Sequence, residues 1–230
     1  MNRLDRNFFV NWYKLHGRDF PWRQKGVSPF ALLVTEMLLR QTQAGAVSKL
    51  WHEFFQRYPD ARALAQANKN ELFTHLKVLG LAEQRSLALI SAASWLVEHH
   101  GGQVPDSREE LLKIPHVGMY VAHAVLCFAF KHKVEVVDTN ILRFYARYYG
   151  LAVKPDIRRN PEIWKLAKAS LPHEQVQEHN YGLLDFTAEI CRTKMPRCPV
   201  CPLATSCAEG LRVMHEYSPN PAKAGMSLAK

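Results

Sequence analysis

Ser107-Arg108-Glu109-Glu110-Leu111-Leu112-Lys113-Ile114-Pro115-His116-Val117-Gly118-Met119-Tyr120 is the stretch from which the rest of the chain can be read. Ser107 followed three residues later by Glu110 is a capping box, opening a short helix to Ile114. Pro115 cannot continue it. From Gly118 to Phe130 almost every residue is apolar, which predicts a buried helix. Two helices therefore meet across Ile114–Gly118. So tight a turn aims backbone N–H groups, backed by the next helix's N-terminus, at a phosphate. Gly118 lets a ligand approach the backbone closely. The same turn also serves as a plain packing corner between helices.

The helical period holds on both sides. Ser28-Pro29 starts a helix predicted to run through about Ala44. Others are expected over 69–79, ending at Gly80, and over 83–100, ending at Gly101-Gly102. Lys133–Val137 is the only strand-like run and is too short to build a sheet. Asp138 is a good N-cap for a helix through Tyr149. Asn160-Pro161 opens another helix, and His173–Cys191 forms a further one. There is no internal repeat. The class is all-α.

Composition narrows the function. At 230 residues with 47% apolar content, the chain can bury a core without disulfides. No apolar run reaches the roughly 18 residues that a membrane helix needs. No apolar h-region follows Met1-Asn2-Arg3-Leu4-Asp5-Arg6. A soluble, cytoplasmic protein is expected. A formal charge of +9 favours a polyanionic partner.

Four of the five cysteines fall close together as Cys191-x6-Cys198-x2-Cys201-x5-Cys207. In an intracellular chain such a cluster reads as a metal site sooner than as disulfides. Zinc sites pair two close Cys-x2–4-Cys units, and here there is one. The layout suits an iron–sulfur cubane held by one compact loop better than a zinc ribbon. A zinc-dependent structural module is the lesser alternative. Arg192, Lys194 and Arg197 lie within the loop, a surface suited to phosphates. Cys127, in an apolar run, is expected in the core. Val136-Val137-Asp138-Thr139-Asn140 places a carboxylate at a helix start, either as a cap alone or as a stabiliser of a nearby cation.

Taken in order, these motifs resemble the helix–hairpin–helix DNA glycosylases of the endonuclease III superfamily. The resemblance spans roughly residues 20–208. It includes Phe20-Pro21-Trp22-Arg23, Thr35-Glu36-Met37-Leu38-Leu39-Arg40-Gln41-Thr42-Gln43, the hairpin, Val137–Asn140 and the cysteine loop. Gly80-Leu81-Ala82-Glu83-Gln84-Arg85, Gly118-Met119-Tyr120 and Leu184-Asp185-Phe186-Thr187-Ala188 carry a nearer likeness to thymine-DNA mismatch glycosylases. MutY-like adenine glycosylases come next.

The resemblance implies a two-lobed fold. Residues 21–135 form a six-helix barrel with the hairpin. Residues 1–20 and 136–210 form the domain of a [4Fe–4S] cluster on Cys191, Cys198, Cys201 and Cys207; separately, composition rich in Pro, Ala, Lys and Ser predicts a flexible tail over 211–230. Duplex DNA lies across the groove, with the target nucleotide flipped out. Strand-cleaving members carry a lysine two residues past the hairpin's last glycine. Tyr120 stands there, and a phenol forms no imine, so the enzyme is expected to be monofunctional. A packed aromatic is Tyr120's plainer role.

Asp138 would stabilise the oxocarbenium-like transition state and orient or deprotonate water. Glu36 would protonate or hydrogen-bond the leaving base, its plainer role being an i,i+4 pair with Arg40. Gln41 resembles the residue that fills the gap left by the flipped base, and Leu81 a second wedge. His116 replaces a hairpin glycine, Val121 replaces a common threonine, and no 8-oxoguanine-reading domain follows the cysteines. A monomeric base excision repair enzyme is expected, associated with the nucleoid in a bacterium or archaeon. It would act on thymine or uracil opposite guanine in duplex DNA. The alternatives are an adenine glycosylase for A opposite G or 8-oxoG, and a cluster-stabilised DNA-binding protein without chemistry.

Overall fold

The computed structural model describes residues 4–154, 156 and 160–217, and the chain separates into two compact units. One is continuous, Arg18–Val136; the other joins Met1–Gly17 to Val137–Lys230. The described residues form twelve α-helices and no strand. The strand-like run Lys133–Val137 forms neither strand nor helix.

The split unit contributes the first helix, α1 (Phe8–His16). The continuous unit then holds α2 (Pro29–Leu38), α3 (Ala44–Arg57), α4 (Ala61–Ala65), α5 (Lys69–Leu76), α6 (Ala82–His100), α7 (Arg108–Leu111) and α8 (Met119–Phe128). Helix α2 starts as expected, with the Ser28 hydroxyl accepting from Ala31 N–H and Pro29 at the first helical position. Every residue from Phe30 to Leu38 is buried, so α2 runs through the middle of this unit and packs against α8. Helices α4 and α5 pack on α6. Leu64, Leu72, Leu76, Leu89, Leu96 and Leu111 are all but fully buried, at about 1.5–3 kcal/mol each.

The helix expected through about Ala44 stops at Leu38. Gln41 takes φ 55°, in the left-handed region, which costs an L-residue about 1–2 kcal/mol. The carbonyls of Leu38 and Arg40 are taken by the guanidinium of Arg85. Helix α5 passes through one 3-10 turn, Lys77–Leu79, to Gly80 at φ 73°. Ser107 caps α7 through Glu110 N–H, one half of a capping box, while the Glu110 carboxylate accepts from Lys113, and α7 ends at Leu111 rather than Ile114.

The split unit continues with α9 (Thr139–Tyr149), α10 (Pro161–Ser170), α11 (Val176–Glu189) and α12 (Ala208–Tyr217). Helix α1 lies along α11, with Phe8, Phe9 and Trp12 all edge-on to Phe186. A Cβ at Gly182 would stand 2.0 Å from the Phe9 carbonyl oxygen, so this approach demands glycine. Helix α11 starts at Val176 rather than His173 because Gln175, at φ 58°, ends the preceding loop. The flexible tail expected from 211 needs correcting. Residues 211–217 are helical, tied by Arg212 to Glu209 and Glu216 at i,i+3 and i,i+4 spacing. The rest of that tail, 218–230, lies outside the described residues.

Candidate active site

Glu36 is only 2% exposed, on a helix whose residues are buried from Phe30 to Leu38. A carboxylate there needs hydrogen-bond donors. Tyr120, in the first turn of α8, donates its hydroxyl to Glu36 Oε2 at 2.8 Å. These two residues are 84 positions apart and meet because α2 packs on α8. The i,i+4 partner considered for Glu36 is engaged elsewhere, as Arg40 Nη1 donates to the His116 carbonyl at 3.1 Å.

The hairpin forms at 114–118, closed by Val117 N–H on the Ile114 carbonyl. His116 sits at φ 65°, so histidine accepts the left-handed conformation usually left to glycine. Gly118 takes φ −105°, which any residue can adopt, and a Cβ there would meet open space. Neither backbone nor packing demands glycine at 118. What its missing side chain leaves is an uncovered helix N-terminus.

Gln41, Leu81 and His116 come together. All three are left-handed non-glycine residues, and all line one cavity of about 220 Å³ with Arg40, Gln84 and Arg85. Leu81 is 52% exposed, a large apolar side chain held out at a helix start.

In the split unit, Asp138 is the N-cap of α9. Its Oδ1 accepts from Ile141 N–H at 2.7 Å, and its Oδ2 accepts from the Asn140 amide at 3.0 Å. Arg143 Nη1 in turn donates to Asn140 Oδ1, and Arg143 Nη2 donates to the Cys191 carbonyl, both at 2.9 Å. Burial pushes the Asp138 carboxyl above the usual carboxylate range. The Ile141 N–H, the Asn140 amide and the Arg143 charge oppose that rise. Asn140 was visible within the quoted motif, whereas nothing in the local pattern marked Arg143.

Cys191, Cys198, Cys201 and Cys207 line one pocket of the split unit, walled by Phe144, Phe186, Ile190 and Leu203. None of the four is in a disulfide, and burial pushes the Cys201 thiol up to about 11. Arg147 holds the loop's start, donating to the carbonyls of Arg192 (2.6 Å) and Thr193 (3.1 Å) and reaching Cys191 Sγ at 3.7 Å. Among the described residues, no three His, Cys, Asp or Glu side chains form a site for a single metal ion. Arg192, Lys194 and Arg197 are exposed on the same loop. Cys127 is fully buried in α8.

With this geometry, comparison with known proteins is direct. Residues 34–169 match the model of the HhH-GPD superfamily base excision DNA repair proteins, and the chain belongs to that family. A thymine/uracil-DNA glycosylase of Methanothermobacter thermautotrophicus is 36% identical over 199 residues, covering 86% of this chain and 90% of the relative. An adenine DNA glycosylase of Mycobacterium tuberculosis is 37% identical over 193 residues, covering 84% of this chain but 63% of the relative. The solved structure of a thermostable thymine-DNA glycosylase superposes with a TM-score of 0.84 at 33% identity, covering 90% of this chain and 95% of that one.

Proposed function

We propose that this protein is a monofunctional DNA glycosylase of base excision repair. It hydrolyses the N-glycosidic bond of thymine or uracil mismatched with guanine in duplex DNA. The observation that carries the reading is the hydrogen bond from Tyr120 to Glu36. It puts a phenol and a carboxylate, with no amine, at the position where the strand-cleaving enzymes of this superfamily carry a lysine. Relatives named for thymine and uracil, alignable over nearly their whole length, support the choice of base. No helix among the described residues is long and apolar enough to cross a membrane, and the substrate puts the enzyme where the cell's DNA is.

The residues divide the work. Cleavage builds positive charge on the sugar at C1′, and the Asp138 carboxylate stabilises it and directs water. Two hydrogen bonds fix that carboxylate, so no reorganisation is needed when the charge appears. Glu36, ordered by Tyr120, hydrogen-bonds the departing base. The hairpin backbone, open at Gly118, and Arg192, Lys194 and Arg197 hold phosphates. Gln41 and Leu81 enter the stack in place of the flipped nucleotide.

The four cysteines fit a [4Fe–4S] cluster. They line one apolar-walled pocket of the split unit, and their spacing within one loop supports this reading. All four ligands being protein, the cluster would cross-link the loop that carries the three cations. Anaerobically purified protein is expected to contain about four iron atoms per chain; zinc without iron would overturn this.

The function is tested on duplexes carrying each mismatch, scored with and without alkali. Strand breaks at T·G and U·G that appear only after alkali are expected. Breaks without alkali, with an adduct trapped by borohydride, would overturn the monofunctional assignment. Excision of adenine alone would transfer the protein to the adenine-specific reading.

A further inference from the structure

The guanidinium of Arg85 is 8% exposed overall, and the partners it finds are backbone carbonyls and a hydroxyl. Nε donates to the Gly80 carbonyl at 2.8 Å. Nη1 donates to the Leu38 carbonyl and Nη2 to the Arg40 carbonyl, both at 2.9 Å. Nη2 also reaches the Thr42 hydroxyl. These four acceptors belong to two different loops. Leu38, Arg40 and Thr42 bracket Gln41; Gly80 immediately precedes Leu81. One rigid, planar fork of donors thus fixes both loops from beneath.

Burying a cation this way is costly, and an apolar side chain of the same size would fill the space more cheaply. Burial and the nearby Arg40 charge both disfavour the charged form of Arg85. What the charge gains is the capture of carbonyls that the end of α2 leaves free, at the negative pole of that helix. With those carbonyls held, Gln41 keeps a left-handed conformation, and Leu81 keeps one at the other end of the fork. The tie extends to the hairpin, because Arg40, whose carbonyl Arg85 holds, gives its own side chain to the His116 carbonyl. The three left-handed residues around the cavity are therefore set by one connected group of hydrogen bonds.

We infer that Arg85 is a positioning residue for nucleotide flipping: it fixes the spacing of Gln41 and Leu81 so that both enter the duplex together. It acts through those loops and touches no DNA. The inference rests on the glycosylase reading, since it assigns Arg85 to the flipping step of that reaction.

The test uses the full chain and a duplex with 2-aminopurine beside a G·T mismatch, whose fluorescence rises on unstacking. Excision is followed under single-turnover conditions and folding by circular dichroism and melting. Arg85→Met is expected to bind matched duplex within about threefold of wild type, lose most of the fluorescence rise, and excise at least about tenfold more slowly. Arg85→Lys, which keeps the charge without the fork, should recover part of both signals. Thr42→Val, which deletes one acceptor at constant shape, should cost about threefold. In a Leu81→Ala background, Arg85→Met should add little, because both changes disable the same act.

A merely stabilising arginine would lower the melting temperature and leave the flipping signal and the excision rate intact below it. That outcome, or additivity with Leu81→Ala, overturns the inference. Should Arg85→Met fail to fold, wild-type signals from both Arg85→Lys and Thr42→Val overturn it equally. A wild-type protein that flips and excises nothing overturns the glycosylase reading and this inference with it. A wild type that flips and excises, beside variants that do the same, overturns the inference alone.

Discussion

Glu36 and Asp138 are the two carboxylates to which the chemistry is assigned, and they are held by different means. Glu36 stands mid-helix in the continuous unit, surrounded by apolar neighbours, and accepts from a phenol that comes from another helix. Asp138 stands at a helix start in the split unit. Its oxygens accept from a backbone N–H three residues on and an amide two residues on. Local sequence therefore sets Asp138, and tertiary packing sets Glu36. A carboxylate on local donors keeps its orientation as long as the helix is formed. A carboxylate ordered by a side chain 84 residues away is only as well placed as the packing between α2 and α8.

Asp138→Asn should produce the largest effect, a loss of excision on the order of 10² or more with DNA binding retained. Asparagine can still cap α9, so the fold is expected to survive. Single-turnover excision beside a binding isotherm checks this. Near-wild-type excision would reduce Asp138 to a cap and favour the non-catalytic DNA-binding reading. Next come Tyr120→Phe and Glu36→Gln, each expected to slow excision by about tenfold. Their combination should be no worse than the poorer single change, because the pair acts as one unit. Full additivity would show that the two carboxylate sites differ less than their geometry suggests.

Replacing Arg192, Lys194 and Arg197 with glutamine should weaken matched and mismatched duplexes alike. The log–log salt dependence should flatten by up to about 0.9 per lost phosphate contact. An unchanged slope at unchanged affinity would put the DNA elsewhere. The smallest effect concerns pH. The carboxyl of Asp138 lies above its ordinary range, and the charged form does the chemistry. Excision is therefore present above that raised pKa and lost as pH falls through it. The stability contributed by the same group runs the opposite way: full below the unfolded pKa, it declines as pH rises through the folded one. Asn140→Leu removes a donor that lowers the pKa, so the acid limb of the rate profile should move up. A downward move would reverse the role given to Asn140.

The same contrast explains what could be read from the chain. Asp138 and its helix were legible because a cap and a helical period are local patterns. That the four cysteines share one pocket was legible from their spacing. The break after Leu38 was not, because no glycine or proline marks it in Leu39-Arg40-Gln41-Thr42-Gln43. What holds it is an arginine 47 residues further along. Arg143 and Arg147 escaped for the same reason, since they reach carbonyls of the cysteine loop 45–48 residues away. Any residue supplies a carbonyl, so side-chain patterns carry no trace of such contacts. The Tyr120–Glu36 pair was legible only as two separate expectations from the family resemblance, and no local feature links them.

The split of one unit across the two ends of the chain has a consequence during synthesis. Helix α1 is made long before α11, against which its aromatic face packs. At roughly 5–20 residues per second, Phe8, Phe9 and Trp12 stay without that partner for about 10 to 35 seconds. The apolar face of α1 has no α11 to pack against until that interval ends. Docking of that helix waits on Gly182, whose bare backbone is the seat it finally takes.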